Sequence, residues 1–478
     1  MRSVRYACLG LLLSSAALAQ TSADATVRVR LLSRQSLTEA RVEPVSGSAR
    51  VRVDGSDAGW LSVGETATVT RTGSGLRVRF GGADQTGRTV RVEGETLRFR
   101  SASTDRHYPG TLAFGASGSH LEIVNHAPME PYVASVVQSE FGFDVLEGAK
   151  AQAVLARTYA ARRAGAHATY DLDDHNGSQV YRGVGATSAT STRAAMETRG
   201  EVLTYHGELA DAYYYSSSGG HTADNDAVWN GAPIPYLRAV PDPYDEVAPD
   251  FRWRTTASRQ TVLSALQRQY GGDIQGVEVL RRSRSNRILT MRLIGGRTET
   301  ITGAQFRRTV NSVAGARVVR STRFDLSVEG GNYVFEGSGF GHGVGMSQYG
   351  ALGQARAGRT YRDILAHYFV GTEVRSGSGA SPLPSAARPS PSSPEVLADA
   401  SSGAAIPRQP SALRTRYVPA TARRWPTPRH IAHGSGVRER PAIDGRPSTP
   451  AASAVPSAAS SPVTETEESV TPQRRAAW

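Results

Sequence analysis

Between residues 25 and 100 apolar and polar residues alternate in short runs, TVRVRLL, ARVRVDG, TATVTRTG, LRVRFGG and TVRVEG, most of them closing on glycine. A period of two with glycine turns predicts half-buried strands in an antiparallel arrangement. The arginines that alternate with valine make a solvated sheet face, with an anion-binding face as the alternative. The period changes near Met129. MEPYVASVVQSEFG puts Tyr132, Val133, Val136 and Val137 at helical spacing. DVLEGAKAQAVLARTYAARRAG is dense in alanine and repeats its apolar residues at three and four, which predicts a helix stopping at Gly165. STRAAMETRG predicts a further helix ending at Gly200, and EVLTY and LADAYYYSSS flank His206-Gly207 as a β-hairpin. Over residues 255–325, RQTVLSALQRQYGG reads as helix, GVEVLRRS and ILTMRLIG as strands, and TGAQFRRTV as a short helix. TYRDILAHYF carries Tyr361, Ile364, Leu365 and Tyr368 on one face, with Thr360 and Asp363 placed for a capping box. The fold class is α+β, with helices around a cleft and mixed or antiparallel β structure.

The ends differ in character. MRSVRYACLGLLLSSAALA has early arginines, an apolar run and Ala17-Leu18-Ala19, the layout of a signal peptide over residues 1–19. The apolar run is shorter than the ~20 residues a membrane span needs. Cys8, the one cysteine, lies inside it, so the mature chain has no disulfide and no thiolate zinc site. Beyond residue 375 a Ser, Pro, Ala and Arg-rich stretch without period predicts a disordered tail over 376–478. Between these lie a β-rich segment, 20–105, and a main domain, 106–375, with an α+β subdomain over 255–325. No later segment is apolar enough to span a membrane, so the expected product is exported, to the periplasm or to the cell wall and beyond. The net charge of +12 suits an anionic partner. Nucleic acid, anionic envelope polymer and a membrane surface all fit that charge, and export counts against nucleic acid.

Candidate chemistry is sparse. Glu140 follows Val136 by four and Val137 by three, so it falls on the apolar stripe of its helix. A carboxyl held against apolar groups resists ionisation, and a carboxyl still protonated near neutral pH can act as a general acid. The plainer alternative is a last-turn glutamate neutralised by an arginine. Lys150 is the only lysine among 55 basic residues. It shares a helical face with Arg157, about 10 Å further along the axis. A surface lysine left unreplaced is the plainer alternative here. GSGFGHGVGMSQYGALGQA alternates glycines around His342 and matches neither phosphate-loop nor dinucleotide spacing. It can wall a polymer-binding cleft, where His342 would be structural or functional. YYYSSSGGHTADNDAVW lacks a nucleophile elbow, which sets a serine hydrolase aside. YDLDDHNGSQVYRG looks like a calcium loop but fails its spacing, so it reads as an ordered loop without metal.

Together MEPYVASVVQSEFG, LEGAKAQAVLARTYA, GSQVYRG, TRGEVLTY, SSSGGHT, AVWNGAPIPYLRAVPDPYD and GFGHGVGMSQYGALGQARAGRTYRDILAHYFVGTEV resemble the SpoIID/LytB family, in the family order, over residues 119–375. The resemblance implies a bacterial cell-wall protein. Sporulation members of that family are lytic transglycosylases acting on glycan strands stripped of stem peptides. Amidase-enhancer members stimulate a wall amidase. It implies Glu140 as the catalytic acid/base and Lys150 and Arg157 as cleft residues. Tyr159, Gln179, Tyr181, Ser218, His342 and Gln348 are implied as further substrate-binding residues. A single glutamate would protonate the MurNAc–GlcNAc glycosidic oxygen and then deprotonate the sugar's own 6-hydroxyl, giving a 1,6-anhydro product. The alternative is a non-catalytic glycan binder that activates a cell-wall amidase. Some members hold zinc at the loop matching 170–181. With no mature cysteine and only His175 there, no cofactor is expected here.

Overall fold

The computed structural model describes residues 25–376, apart from Ser74, Asn230 and Thr298. The expected signal peptide and the expected tail beyond residue 376 lie outside the described residues. The alternating runs form an 11-stranded sheet. Its main path runs through Leu172–Asp173, Thr26–Leu31, His120–Pro128, Asp105–Ser117, Val90–Arg100, Glu39–Pro44, Ala67–Thr72, Gly75–Phe80 and Ala83–Gly87. Ser48–Val53 pairs with the first half of Val90–Arg100 and carries Ser56–Ser62 on its other side. In Thr26–Leu31 the valines and Leu31 are buried and the arginines between them are not, as the period requires. Those arginines are not merely solvated. Arg28 reaches Asp171 at 2.7 Å and Arg30 reaches Asp173 at 2.7 Å, and Leu172–Asp173 adds to the strand in parallel. Elsewhere on the sheet Arg98 pairs with Glu43 and Asp105, Arg100 with Glu43, and Arg50 with Asp57.

The sheet runs through residue 105 without a break, because Val90–Arg100 pairs with Asp105–Ser117 from Arg100↔Asp105 onward. Val42, Phe99, Tyr132, Val154 and Leu365 belong to one hydrophobic core. The helices therefore pack on the same core as the β-rich segment, and the expected division near residue 105 has no counterpart in the packing.

Helix α1 (Met129–Glu140) begins where strand His120–Pro128 ends. Helix α2 (Leu146–Arg162) stops short of the Gly165 expected from its pattern, and α3 (Ala189–Glu197) is closed by a Ser188–Ser191 capping box. Arg157 joins these three. Its guanidinium is 3 % exposed and meets Glu130, itself 6 % exposed, with Nε–Oε1 at 3.1 Å and Nη2–Oε2 at 2.5 Å. Its other N–H groups donate to the carbonyls of Ala195 and Glu201 at 3.1 and 2.9 Å. A buried ion pair holds when every lone pair and proton is met, and here both partners come close to that. The hairpin of Glu201–Tyr205 and Glu208–Leu209 turns on His206 and Gly207, both at positive φ, as a two-residue primed turn needs.

After the short α4 (Asn225–Val228) the chain builds a module with its own core, in which Leu266, Met291, Phe306, Phe324 and Phe335 meet. Strands Trp253–Ser258, Asn332–Gly337 and Phe324–Glu329 make one sheet. Gly272–Arg282, Ile288–Gly296 and Thr300–Thr302 make another, with α5 (Arg259–Tyr270) and α6 (Gly303–Ala314) packed beside them. The chain then returns to the first core through α7 (Gln348–Arg356) and α8 (Tyr361–Tyr368), the latter capped by Thr360 and Asp363 as the sequence predicts. Among the described residues no helix is long and apolar enough to cross a membrane.

Removing Arg157 strands Glu130 as a buried charge. Arg157→Met is expected to cost about 3–5 kcal/mol in urea unfolding, and the double change with Glu130→Met to recover most of that loss. A single variant that unfolds like wild type would show that the pair does not carry the helix packing.

Candidate functional site

Glu140 is the last residue of α1, and it is half-buried. Its Oε1 accepts the backbone N–H of Val180 at 2.7 Å. Burial pushes the carboxyl up to about 7, against the Val180 N–H and the charge of exposed Arg182, which both pull it down. The apolar stripe thus does to this carboxyl what its spacing predicts. Among the described residues no acidic side chain is one of the groups acting on it.

Around Glu140 stand tyrosines. Tyr132 donates to Gln179 Oε1 at 2.8 Å, and Gln179 Nε2 donates to the hydroxyl of Tyr214 at 3.1 Å. Burial first, and the charge of Glu140 after it, raise the hydroxyl pKa of Tyr214 well above its ordinary range. Tyr159, on α2, is pushed up to about 12 by burial, with Arg163 lowering it and Glu140 raising it. The Arg163 guanidinium lies 5.0 Å over the Tyr159 ring. Glu140, Tyr159 and Gln179 are therefore brought into one cluster.

The other expected residues lie elsewhere or serve the fold. Lys150 and Arg157 do share a face of α2, but that face packs on α3 rather than opening on a cleft with Glu140. Arg157 is spent on Glu130 and two carbonyls. Lys150 pairs with Glu197 at 2.6 Å and Glu147 at 3.0 Å, and Glu147 also accepts the N–H of Tyr361 at the start of α8. Burial pulls the Lys150 ammonium down and the bonds to Glu197 and Glu147 outweigh it, raising its pKa. The charge acting on Glu140 is Arg182, which sequence spacing does not single out. Tyr181 is fully buried and gives its hydroxyl to Asn125 at 2.8 Å. Ser218 is fully buried, with its Oγ accepting the N–H of Gly220 at 3.0 Å. Gln348 opens α7, and its buried Nε2 has no protein partner.

His342 is structural in this arrangement. Val344 N–H donates to Nδ1 at 3.1 Å, so Nε2 carries the proton and donates to the carbonyl of Tyr214 at 3.1 Å. Burial, with the charge of Arg287 behind it, pulls its pKa down to about 3, so the ring stays neutral. Its place explains the glycines. Gly341 and Gly343 hold positive φ, and a Cβ on Gly343 would meet the Arg287 guanidinium at 2.5 Å. Parallel pairing of Tyr214–Tyr215 with Met346–Ser347 then ties this loop to the tyrosine cluster.

The loop over 170–181 does not fit a zinc ion. Asp171 and Asp173 are committed to Arg28 and Arg30, and His175 Nδ1 accepts the N–H of Gly177 at 2.9 Å. Among the described residues no three His, Cys, Asp or Glu side chains are grouped for a metal. Tyr132, Tyr214, Arg163, Arg182 and the Val180 N–H are parts of the site that sequence reasoning missed. Val180 lies between two flagged residues, but a backbone donor carries no side-chain signal.

The raised Glu140 pKa has a thermodynamic consequence. Below the ordinary value of 4.5 the carboxyl is protonated folded and unfolded alike. Between that value and about 7 the unfolded chain releases a proton that the folded chain keeps, so stability falls as pH rises and stays lower above. Glu140→Gln is expected to unfold like wild type at pH 4.5 and to be more stable by about 1–3 kcal/mol at pH 8. A pH-independent difference in denaturant midpoint would show an unshifted carboxyl.

Residues 117–205, which include α1 through the strand Glu201–Tyr205, match the family described as Stage II sporulation protein (SpoIID). Residues 243–345 match a domain of unknown function (DUF8618). The chain is 32% identical over 272 residues to Stage II sporulation protein D of Bacillus amyloliquefaciens, covering 52% of this chain and 75% of that protein. It is 30% identical over 273 residues to the protein of the same name from Bacillus subtilis, with the same coverage. It is 29% identical over 282 residues to the amidase enhancer of Bacillus subtilis, covering 48% of this chain and 38% of that protein. On the identity and coverage it shares with the first of these, the chain belongs to the SpoIID/LytB family.

Proposed function

We propose that this chain is an exported peptidoglycan lytic transglycosylase, with Glu140 as its single acid/base. The observation that carries the reading is the half-buried carboxyl held to about 7, protonated in a large fraction of molecules near neutral pH. Glu140 gives its proton to the oxygen linking MurNAc to GlcNAc, and the bond breaks through an oxocarbenium-like state. The carboxylate left behind takes the proton of the sugar's 6-hydroxyl as that oxygen closes on the anomeric carbon. The proton returns to where it started, and no water is consumed. The Val180 N–H is suited to steady the carboxylate between the two transfers. The tyrosine and glutamine hydroxyl and amide groups around it suit a sugar polymer, which is recognised by hydrogen bonds to its hydroxyls. A second reading, a glycan binder that activates a wall amidase, draws on the likeness to the amidase enhancer.

Denuded glycan incubated with the chain should yield anhydro-ended fragments by mass spectrometry, and Glu140→Gln should lower the rate by about 10²–10⁴-fold. Glycan binding without product would replace the transglycosylase with the activator. The acid must be protonated, so activity should decline as pH rises through about 7. Arg182→Gln removes a charge that lowers the Glu140 pKa and should move that decline to higher pH. An unmoved pH profile would separate Arg182 from the acid.

A further inference from the structure

The module spanning strands Trp253–Ser258 to Asn332–Gly337 holds a recess of about 560 Å³ whose lining includes Arg252, Arg323, Asn286, Asp325 and Glu336. Its charges are unevenly matched. Asp325 is paired with Arg282 at 2.8 Å, and Glu336 with Arg254 at 3.1 Å. Arg252 and Arg323 have no carboxylate partner among the described residues. Arg252 is exposed and lies over the ring of Phe251, and Arg323 gives one N–H to the carbonyl of Gly219 at 2.6 Å. The two guanidiniums are close enough that Arg252 lowers the pKa of Arg323, after burial. Folding two like charges into one concavity costs free energy that an anion between them would recover. Exposed Asn286 stands at the rim with φ 60°, in the left-handed region, at the hairpin tip between Arg282 and Ile288.

We propose that this recess is an anion site that takes a carboxylate. Asp325 is matched by Arg282 and Glu336 by Arg254, so Arg252 and Arg323 are the uncompensated charges of the lining. A guanidinium matches a carboxylate with two parallel hydrogen bonds, and a carboxylate is the anion that the peptidoglycan reading supplies. The recess is also joined to the loops next to Tyr214 and Tyr215. Arg323 holds Gly219, and the Trp253 indole donates to the carbonyl of Gly339 at 2.8 Å. As to the ligand's source, the proposal rests on the peptidoglycan reading. There the carboxylates are the lactyl group of a peptide-free muramic acid and the free carboxyls of a stem peptide.

Isothermal titration with N-acetylmuramic acid, muramoyl dipeptide, N-acetylglucosamine and inorganic phosphate tests this. Binding of either muramyl ligand, with N-acetylglucosamine silent, is the expected result, and the tighter of the two identifies the lactyl or the peptide source. Arg252→Gln, on an exposed side chain, should weaken that binding at least tenfold without shifting Tm. Arg323→Lys keeps the charge but loses the planar fork, and it should weaken binding less. Equal binding of the neutral sugar, or wild-type affinity in both variants, overturns the site. Phosphate binding tenfold tighter than either muramyl ligand overturns the carboxylate assignment. If Glu140→Gln keeps wild-type lytic activity, the transglycosylase reading fails, while muramyl binding still decides the recess.

Discussion

The structure depends on one buried ion pair. Arg157 and Glu130 are both nearly inaccessible, and between them they tie α1, α2, α3 and the strand after α3. Removing two charges from water is costly, and the cost is offset only where each polar atom finds a partner. That requirement makes the arrangement specific. The guanidinium fork accepts few geometries, so the three helices are held at the positions that satisfy it. Helix α1 then acts as a rigid arm, pinned at Glu130 near its start and presenting Glu140 at its end, ten residues or about 15 Å further on.

At that end the requirement is reversed. Glu140 has one backbone donor and one nearby cation, and burial outweighs both. A fully paired carboxylate would be stable and inert as an acid, whereas an under-paired one keeps its proton. Two glutamates of a single helix thus differ in role because of their surroundings. Glu130 meets a guanidinium head-on, and Glu140 meets tyrosines and one amide. The tyrosine–glutamine chain supplies polarity without a countercharge, so the site is hydrogen-bonding yet leaves the acid under-stabilised.

The helices were legible because their apolar spacing and caps are local. Helix Met129–Glu140 starts where its pattern starts, and Thr360 and Asp363 cap α8 as expected. The position of Glu140 on an apolar stripe was legible for the same reason. What a helix face packs against is not local, and the face that carries Lys150 and Arg157 illustrates it. Their shared face is real, but α3 covers it, and α3 is distant in sequence. His342 illustrates the same limit. Its neighbours in the chain are glycines, while its role is fixed by a carbonyl at Tyr214, 128 residues away. The arginine-rich sheet was legible as strands, but its ion pairs with Asp171 and Asp173 depend on a strand contributed from beyond α2.

The module leaves and rejoins the main chain at neighbouring points, since Trp253 and Gly337 are cross-strand partners. Directly opposed residues lie about 5 Å apart, so a tight turn could bridge the gap left by excising the module. In connectivity, the module is a removable insertion. In support, it is not. Arg287 lies under Gly343, Trp253 holds Gly339, and Arg323 holds Gly219. Excision would close the chain at little topological cost and still leave Gly219, Gly339 and Gly343 without these partners, so connectivity and mechanical support are separate properties of the insertion.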